Sequence, residues 1–340
     1  MGRPLLLVAA ACGLWLAFAP GRFAPPAPTP ETPLAEALYA RGVPVPPHYR
    51  PDATAAEIAR GRELVYRGVT ADPPAGAESE PISKHFVCVD CHNTVREEAD
   101  LSRTDPAARL AYAVEHDLPF LQGSTFWGIA DRTSWYNGDY YLKYGDLVAE
   151  ARMSLAASTQ LCAQECSQGR RLLDWELEAI LAYYHSLSVT LGELGFTEAD
   201  LTSLAAKPDS AFVDAVYARY LPASPATFVD PPADKAAGYA VARAGDAALG
   251  RQLYERSCQT CHHVGGESDL VLDDYPSTLR WLERHLTDDG PLSLYEIIRR
   301  GTYPVPGHRP YMPHYTAEKM SDQQVEDLRA YVVSRGRRGG

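Results

Sequence analysis

The sequence predicts a mainly α-helical protein in which one helical arrangement occurs twice. Apolar residues recur at helical intervals in the stretch that begins at Ala55 and again in the stretch that begins at Asp246. Two later stretches, which end near Tyr183 and Tyr331, share this periodicity. Strand patterns are scarce throughout the chain. These observations predict two helical domains joined by a linker.

Length and charge narrow the class of protein. A chain of 340 residues accommodates two domains of about 100 to 150 residues with a linker between them. We place the first domain at residues 55–190, the linker at 191–245 and the second domain at 246–340. The formal net charge of −12 argues against nucleic acid as a partner.

The N-terminal segment is predicted to direct export. Arg3 precedes an apolar run from Leu5 to Ala19, which is shorter than the roughly 20 residues that span a bilayer. We interpret residues 1–20 as a cleaved signal peptide, with a retained membrane anchor as the alternative. Residues 21–54 are rich in Pro and Ala and are predicted to form a loose tether.

The pattern C-x-x-C-H occurs once in each predicted domain. The motif residues are Cys88, Cys91 and His92 in the first copy and Cys258, Cys261 and His262 in the second. In this pattern the two cysteines form thioether bonds to one porphyrin, and the histidine is the proximal ligand of its iron. A zinc ribbon would need another C-x-x-C about 15 to 20 residues further on, which neither copy has. The motifs therefore predict two covalently attached haem c groups.

This layout resembles tandem class I cytochrome c domains, in which the first and last helices of each domain cross beside the haem. The resemblance implies two cytochrome c-like haem-binding domains. The first domain is the enlarged copy, because 27 positions separate Gly61 from Cys88, whereas 8 separate Gly250 from Cys258.

The sixth ligand of the second haem is predicted from the segment before the last helix. Met312-Pro313 is similar to the Met-Pro element of class I cytochromes, so Met312 is the expected axial ligand. A thioether sulfur raises the reduction potential of the haem. His308 and His314 are the alternatives at this position.

The first domain lacks a Met-Pro element. When the last helices are aligned, Met312 falls on Gln164, which stands between Cys162 and Cys166. This segment resembles the part of thiosulfate dehydrogenases and related Sox-system cytochromes that carries an axial cysteine. The resemblance implies that Cys162 is the axial ligand of the first haem and, in an enzyme, the catalytic residue. Cys166 and Gln168 depart from the pattern of that family.

Other assignments remain open at the first haem. Two cysteines four residues apart on a helix have Cα atoms about 6 Å apart, which is within the range for a disulfide bond. An exported protein meets an oxidising environment that favours such a bond between Cys162 and Cys166. Cys166, Met153 and His116 are further candidates for the axial ligand.

The sequence thus predicts an exported di-haem c-type cytochrome that transfers electrons between redox partners, such as other cytochromes or a respiratory complex. One alternative is an oxidoreductase for sulfur anions, similar to thiosulfate dehydrogenase, in which Cys162 acts at the first haem. Another is a haem subunit of a membrane respiratory complex. The expected location is the periplasm or the outer face of the cytoplasmic membrane, with membrane contact only through an uncleaved N-terminal segment.

Overall fold

The computed structural model describes residues 27–288, 290, 293–302 and 312–336. This part of the chain consists of helices and loops, and it contains no β-strand, only one isolated bridge between Pro33 and Thr190. The predicted mainly α-helical fold class is confirmed. The predicted export segment and His308 lie outside the described residues. No helix in the described ranges combines the length and the apolar character that crossing a membrane requires.

The α-helices, numbered in chain order, are α1 (Leu34–Tyr39), α2 (Ala55–Arg67), α3 (Pro106–Glu115), α4 (Tyr140–Tyr144), α5 (Val148–Ala151), α6 (Leu155–Leu161), α7 (Asp174–Ser186), α8 (Glu198–Ala205), α9 (Asp209–Tyr217), α10 (Ala247–Leu253), α11 (Pro276–Arg284), α12 (Leu294–Arg300) and α13 (Asp322–Gly336). Short 3₁₀ turns occupy Cys88–Asp90, Ile129–Asp131 and Gly145–Leu147, and wider π turns occupy Cys162–Cys166 and Tyr254–Cys258.

Two helix pairs cross at a glycine. A Cβ atom added to Gly61 of α2 would overlap the backbone oxygen of Ala179 in α7. A Cβ atom added to Gly250 of α10 would overlap the backbone oxygen of Asp327 in α13 in the same way. In both pairs a tyrosine Cβ of the second helix lies 2.9 Å from the added atom. The two crossings are therefore built alike, and each needs a residue without a side chain.

Helices α2 and α10, the first helices of the two pairs, end differently. This difference sets the position of each motif relative to its helix pair. Helix α2 begins at a capping box formed by Thr54 and Glu57 and ends at Gly68, whose φ of 69° favours glycine. A long loop then leads to Cys88. Helix α10 instead continues through its π turn directly into Cys258. The predicted insertion in the first domain is this loop.

Two of the hydrophobic cores lie around these crossings. The first contains residues of α2, α6 and α7, including Leu64, Leu155 and Ile180. The second contains residues of α10 to α13, but it also takes in Leu110 and Phe120 from the segment assigned to the first domain. A chain boundary at residue 190 therefore does not separate the two cores.

A third core corrects the prediction of a loose tether at residues 21–54. Helix α1 is buried against α8, α9 and the chain after α7. Leu34 has no solvent exposure, and its backbone N–H donates to the carbonyl oxygen of Val189 at 2.7 Å. The compositional signal of Pro and Ala was misleading here, because the apolar residues of α1 find a partner surface more than 150 positions away in the sequence.

The close approach at Gly61 generates a stability prediction. Gly61→Ala is expected to lower the free energy of unfolding by about 1–3 kcal/mol, because overpacking outweighs the roughly 1 kcal/mol that alanine gains in helix propensity. Chemical denaturation followed by far-ultraviolet circular dichroism measures the change. Arg62→Ala, at the next and exposed position of α2, is the control and should leave stability nearly unchanged. Equal stability of Gly61→Ala and the wild type would contradict the close packing of α2 on α7.

Candidate functional site

The histidine of the first motif is held by the chain that follows α3. The Nδ1 atom of His92 donates to the carbonyl oxygen of Ser124 at 2.6 Å. Gly123 makes this approach possible, because a Cβ atom there would lie 2.5 Å from the ring. Burial lowers the pKa of His92 to about 4, so the ring is neutral. With its proton on Nδ1, the ring keeps the Nε2 lone pair for a metal.

The histidine of the second motif is held in the same way. The Nδ1 atom of His262 donates to the carbonyl oxygen of Leu270 at 2.8 Å, and burial lowers the pKa of this ring as well. Cys258 ends the π turn after α10 and packs against the second core. Both histidines are therefore oriented by a backbone carbonyl, which is the arrangement typical of a metal-ligating imidazole.

The first motif lines a cavity of about 1720 Å³, a volume that includes the solvent space at its open end. Cys88, Cys91 and His92 line it, and so do Cys162 and Cys166 from the π turn that follows α6. In that turn the N–H of Ser167 donates to the carbonyl oxygen of Cys162, five residues earlier, at 2.9 Å. The larger apolar and aromatic residues of the wall include Leu64, Ile82, Phe86, Phe126, Ile129, Trp135, Tyr136, Tyr140, Tyr144, Leu172, Ile180 and Tyr184.

The two cysteines of the π turn have different neighbours. No disulfide bond joins Cys162 and Cys166 in this structure. The sulfur of Cys166 lies 3.5 Å from the hydroxyl oxygens of Tyr136 and Tyr144. Hydrogen bonding to Cys166 and burial raise the pKa of Cys162 well above its usual value.

Other positions that the sequence placed at the first haem lie elsewhere. Gln164, on which the alignment put Met312, is exposed between the two cysteines. Met153 is 71% exposed, and His116 is exposed and stacked on Tyr112. None of these three residues is among the described residues that line the cavity. This placement does not support Met153 or His116 as the axial ligand of the first haem.

The cavity fits a haem group in its polar atoms as well as in its apolar wall. Trp135 Nε1 is a buried donor in the wall with no acceptor among the described residues. Arg132 and Lys319 also line the cavity. A buried donor requires an acceptor, so Trp135 suits a propionate carboxylate of a haem, and the two nearby cations favour its negative charge.

Met312 follows α12 and is half-buried. Its backbone is fixed by Thr302, which donates to the Met312 carbonyl oxygen at 3.0 Å and accepts from the Met312 N–H at 2.7 Å. These bonds hold the Met-Pro segment beside the end of α12. Met312 as the axial partner of His262 stays a prediction. His314, in contrast, lines the cavity of the first motif, so it is misplaced as a ligand of the second haem.

The two motifs touch each other. The sulfur of Cys261 lies 4.0 Å from the carbonyl oxygen of Asp90, inside the first motif. The same interface contains a backbone bond from Phe120 N–H to the Arg256 carbonyl oxygen at 2.8 Å. The Tyr315 hydroxyl donates to the carbonyl oxygen of Phe120 at 2.8 Å. The folding of the chain therefore places the two motifs side by side.

A buried carboxylate joins the two motif-bearing parts. Glu97, which is 4% exposed, accepts from Arg109 at 3.1 Å and from Lys319 at 2.8 Å. It also accepts from Asn93 Nδ2 at 3.0 Å and from the N–H of Thr125 at 3.2 Å. Burial alone would raise the pKa of Glu97, but the two cations hold it well below its usual range. The carboxylate is thus ionised and fully partnered.

These features define a cytochrome c architecture. Residues 245–332 match the family model described as Cytochrome C oxidase, cbb3-type, subunit III. This segment contains the second motif, Met312 and most of α10 to α13. A comparison with curated proteins found no match. The segment is a cytochrome c domain, which supports covalent binding of haem c and electron transfer by a c-type cytochrome with redox proteins as partners.

Sequence reasoning missed two polar residues of the first cavity. No sequence pattern marks Lys143, and the sequence indicates His314 only for the second haem, because it lies two positions after Met312. Both line the first cavity, and Lys143 Nζ lies 3.4 Å from His314 Nδ1. They are 171 positions apart, so no local pattern could have paired them. The aromatic run from Trp135 to Tyr144 was the available signal for this wall of the cavity.

The Glu97 cluster predicts a pH-dependent stability. Glu97→Gln is expected to lower the free energy of unfolding at pH 7 by about 3–5 kcal/mol, because it leaves two buried cations without a counter-charge. The folded-state pKa of Glu97 is depressed, so its contribution is complete above the unfolded-state pKa of about 4.3 and is lost as the pH falls below it. The difference between variant and wild type should therefore shrink in acid.

Chemical denaturation at several pH values between 7 and 3 measures this difference. Glu178→Gln is the matched control, since Glu178 is 56% exposed in its ion pair with Arg50. It should change stability by less than about 1 kcal/mol. A Glu97→Gln protein as stable as this control at pH 7 would contradict the role of the buried carboxylate.

Proposed function

We propose that this protein is a two-haem c-type cytochrome that transfers electrons from a donor protein to an acceptor protein. The observation that carries the proposal is that the two motif histidines are oriented in the same way. His92 and His262 each bond through Nδ1 to a backbone carbonyl oxygen, at 2.6 and 2.8 Å, which leaves Nε2 for iron. His116, His263 and His285 also bond through Nδ1 to a backbone carbonyl oxygen, so the orientation supports a haem only where it occurs next to the two cysteines of a motif.

The contact between the motifs supports electron exchange between the two sites. Because Cys261 Sγ lies 4.0 Å from the Asp90 carbonyl oxygen, the porphyrin attachment points of the two sites adjoin each other. Electron transfer requires only that donor and acceptor groups are held close and reorganise little. The buried interface around Phe120 and Arg256 supplies that rigidity.

The motif cysteines, Met312 and the aromatic wall of the first cavity each have a defined role in the proposal. Haem c, when bound, supplies reversible one-electron oxidation and reduction at iron. Cys88 and Cys91 anchor the first group and Cys258 and Cys261 the second, while Met312 is the proposed axial ligand at the second site. The aromatic wall of the first cavity excludes water, which limits solvent reorganisation.

The number of haems follows directly from the two motifs. A double variant, Cys88→Ala with Cys91→Ala, is expected to retain one covalent haem per chain, because the second motif is intact. The matched variant, Cys258→Ala with Cys261→Ala, should also retain one. The pyridine haemochrome spectrum measures covalent haem per chain, and mass spectrometry checks it.

The wild-type protein should carry two haems in the same assay, and a quadruple variant should carry none. The proposal would be contradicted if the wild type carried only one covalent haem and only one of the two double variants lost it. Redox titration of the wild type should then resolve two one-electron steps.

A second candidate function is oxidation of sulfur anions, as in the thiosulfate dehydrogenases that the Cys162 segment resembles. The observation that favours it is that Cys162 lines the same cavity as His92. A thiolate there is suited to act as axial ligand and as the catalytic residue that meets a sulfur substrate. Cys166 lines this cavity as well, so the two thiols must be distinguished by experiment.

Replacement of Cys162 tests the ligand assignment. Cys162→Met is expected to abolish the low-spin thiolate signal in the electron paramagnetic resonance spectrum of the oxidised protein. It should also raise the midpoint potential of the first haem, because thioether ligation favours the reduced state. Thiosulfate-dependent reduction of ferricyanide should fall to the background level if the protein is such an enzyme.

Cys166→Ala is the matched control and should keep the thiolate signal. A spectrum in which Cys166→Ala loses that signal while Cys162→Met keeps it would reverse the assignment. A wild-type spectrum without any thiolate signal would exclude a Cys-ligated haem and leave electron transfer as the function.

We extend the proposal to an exported location, on the outer face of the cytoplasmic membrane or in the periplasm. The apolar run from Leu5 to Ala19 supports it. A haem subunit of a membrane respiratory complex is a further candidate, supported by the oxidase subunit named in the matched family description. That candidate requires residues 1–20 to be retained as an anchor.

A further inference from the structure

Lys143 and His314 meet in the wall of the first cavity. Lys143 belongs to α4, and His314 belongs to the segment that follows Met312, so the two parts of the chain that carry the motifs each supply one residue. The distance from Lys143 Nζ to His314 Nδ1 is 3.4 Å. Both residues line the cavity together with His92 and Cys166.

The hydrogen bond between them determines which nitrogen of the imidazole carries the proton. A lysine ammonium group only donates, so His314 Nδ1 must accept and the ring proton resides on Nε2. His314 is 6% exposed, and its Nε2 has no partner among the residues that the structure describes. A buried N–H without an acceptor is costly, which indicates that the site is completed by an acceptor from outside the polypeptide.

Aromatic rings shield His314 from water. Phe228 contacts the His314 ring edge to face, with centroids 4.4 Å apart, and Tyr140 lies 6.0 Å from it. Electrostatic interactions and hydrogen bonds are stronger where water is excluded. An ammonium group and an N–H donor in such surroundings favour an acceptor that carries negative charge.

We propose that Lys143 and His314 form a binding site for an anionic oxygen inside the first cavity. The inference rests on the proposed function, because the cavity is taken to hold the first haem. Two sources supply this chemistry, namely a small free oxyanion and a propionate of the haem itself. The site is distinct from the motif residues and from the Cys162 position.

The test uses the full-length protein loaded with haem. Sodium thiosulfate, sulfite and phosphate are titrated separately at constant ionic strength, and the Soret absorption is recorded. A free oxyanion should give a saturable spectral shift in the wild type. Lys143→Met and His314→Phe should each weaken the apparent affinity by at least about tenfold, because each removes a charge-assisted or buried donor.

Two further variants separate binding from general damage. His314→Gln keeps an N–H donor on a neutral side chain and should recover part of the affinity that His314→Phe loses. Lys207→Met, at an exposed position between α8 and α9, removes the same charge and should bind the anion like the wild type.

The second source predicts a different result. If a propionate occupies the site, added anions cause no shift in the wild type, and Lys143→Met and His314→Phe change the propionate bending bands in resonance Raman spectra. His314→Gln should then resemble the wild type. This outcome also supports the site, with the haem as the source of the anion.

The assignment is overturned if neither readout differs between the wild type and both Lys143→Met and His314→Phe. Covalent haem is counted first in every sample. A wild type that lacks the first haem would overturn the proposed function and this site together, whereas two haems without either response would overturn the site alone.

Discussion

The arrangement of this molecule depends on one buried carboxylate. Glu97 holds the segment behind the first motif through Asn93 and Thr125, and it reaches the C-terminal part of the chain through Lys319. An unpaired charge at this depth would cost several kcal/mol, so the carboxylate and its cations must form together or not at all. This constraint couples the orientation of His92 to the packing of the second motif.

The coupling explains why the two motifs adjoin each other. Leu110 and Phe120 belong to the first part of the chain but lie in the second core, and Arg256 donates to the Leu118 carbonyl oxygen at 3.0 Å. The separation between Asp90 and Cys261 is thus fixed by a continuous packed interface, not by a flexible linker. For a protein that transfers electrons, a fixed short separation matters more than any single side chain at the surface.

Local patterns predicted the parts of the fold that local forces decide. The periodic apolar positions of α2, α7, α10 and α13 follow from sequence alone, whereas the close contacts at Gly61 and Gly250 become visible only in the structure. The sequence could not reveal α1 as a packed element, because its partners come from α8 and α9. The bond between Glu97 and Lys319 spans 222 positions, and the pairing of Lys143 with His314 is equally remote from any short motif. Such pairs appear only once the chain has folded.

The first cavity presents two thiols, and their surroundings are unequal. Hydrogen bonds in a π turn join residues five positions apart, whereas those of an α-helix join residues four apart. Residues four apart in a π turn therefore lie nearly one full turn apart, on the same side of the turn. Cys162 and Cys166 therefore line the same cavity. The hydroxyls of Tyr136 and Tyr144 both lie 3.5 Å from the sulfur of Cys166, and these contacts hold that sulfur on the side of the aromatic wall. Cys162 lacks this pair of hydroxyl contacts among the described residues, which supports Cys162 as the axial ligand and leaves Cys166 as a thiol held in place by the aromatic wall.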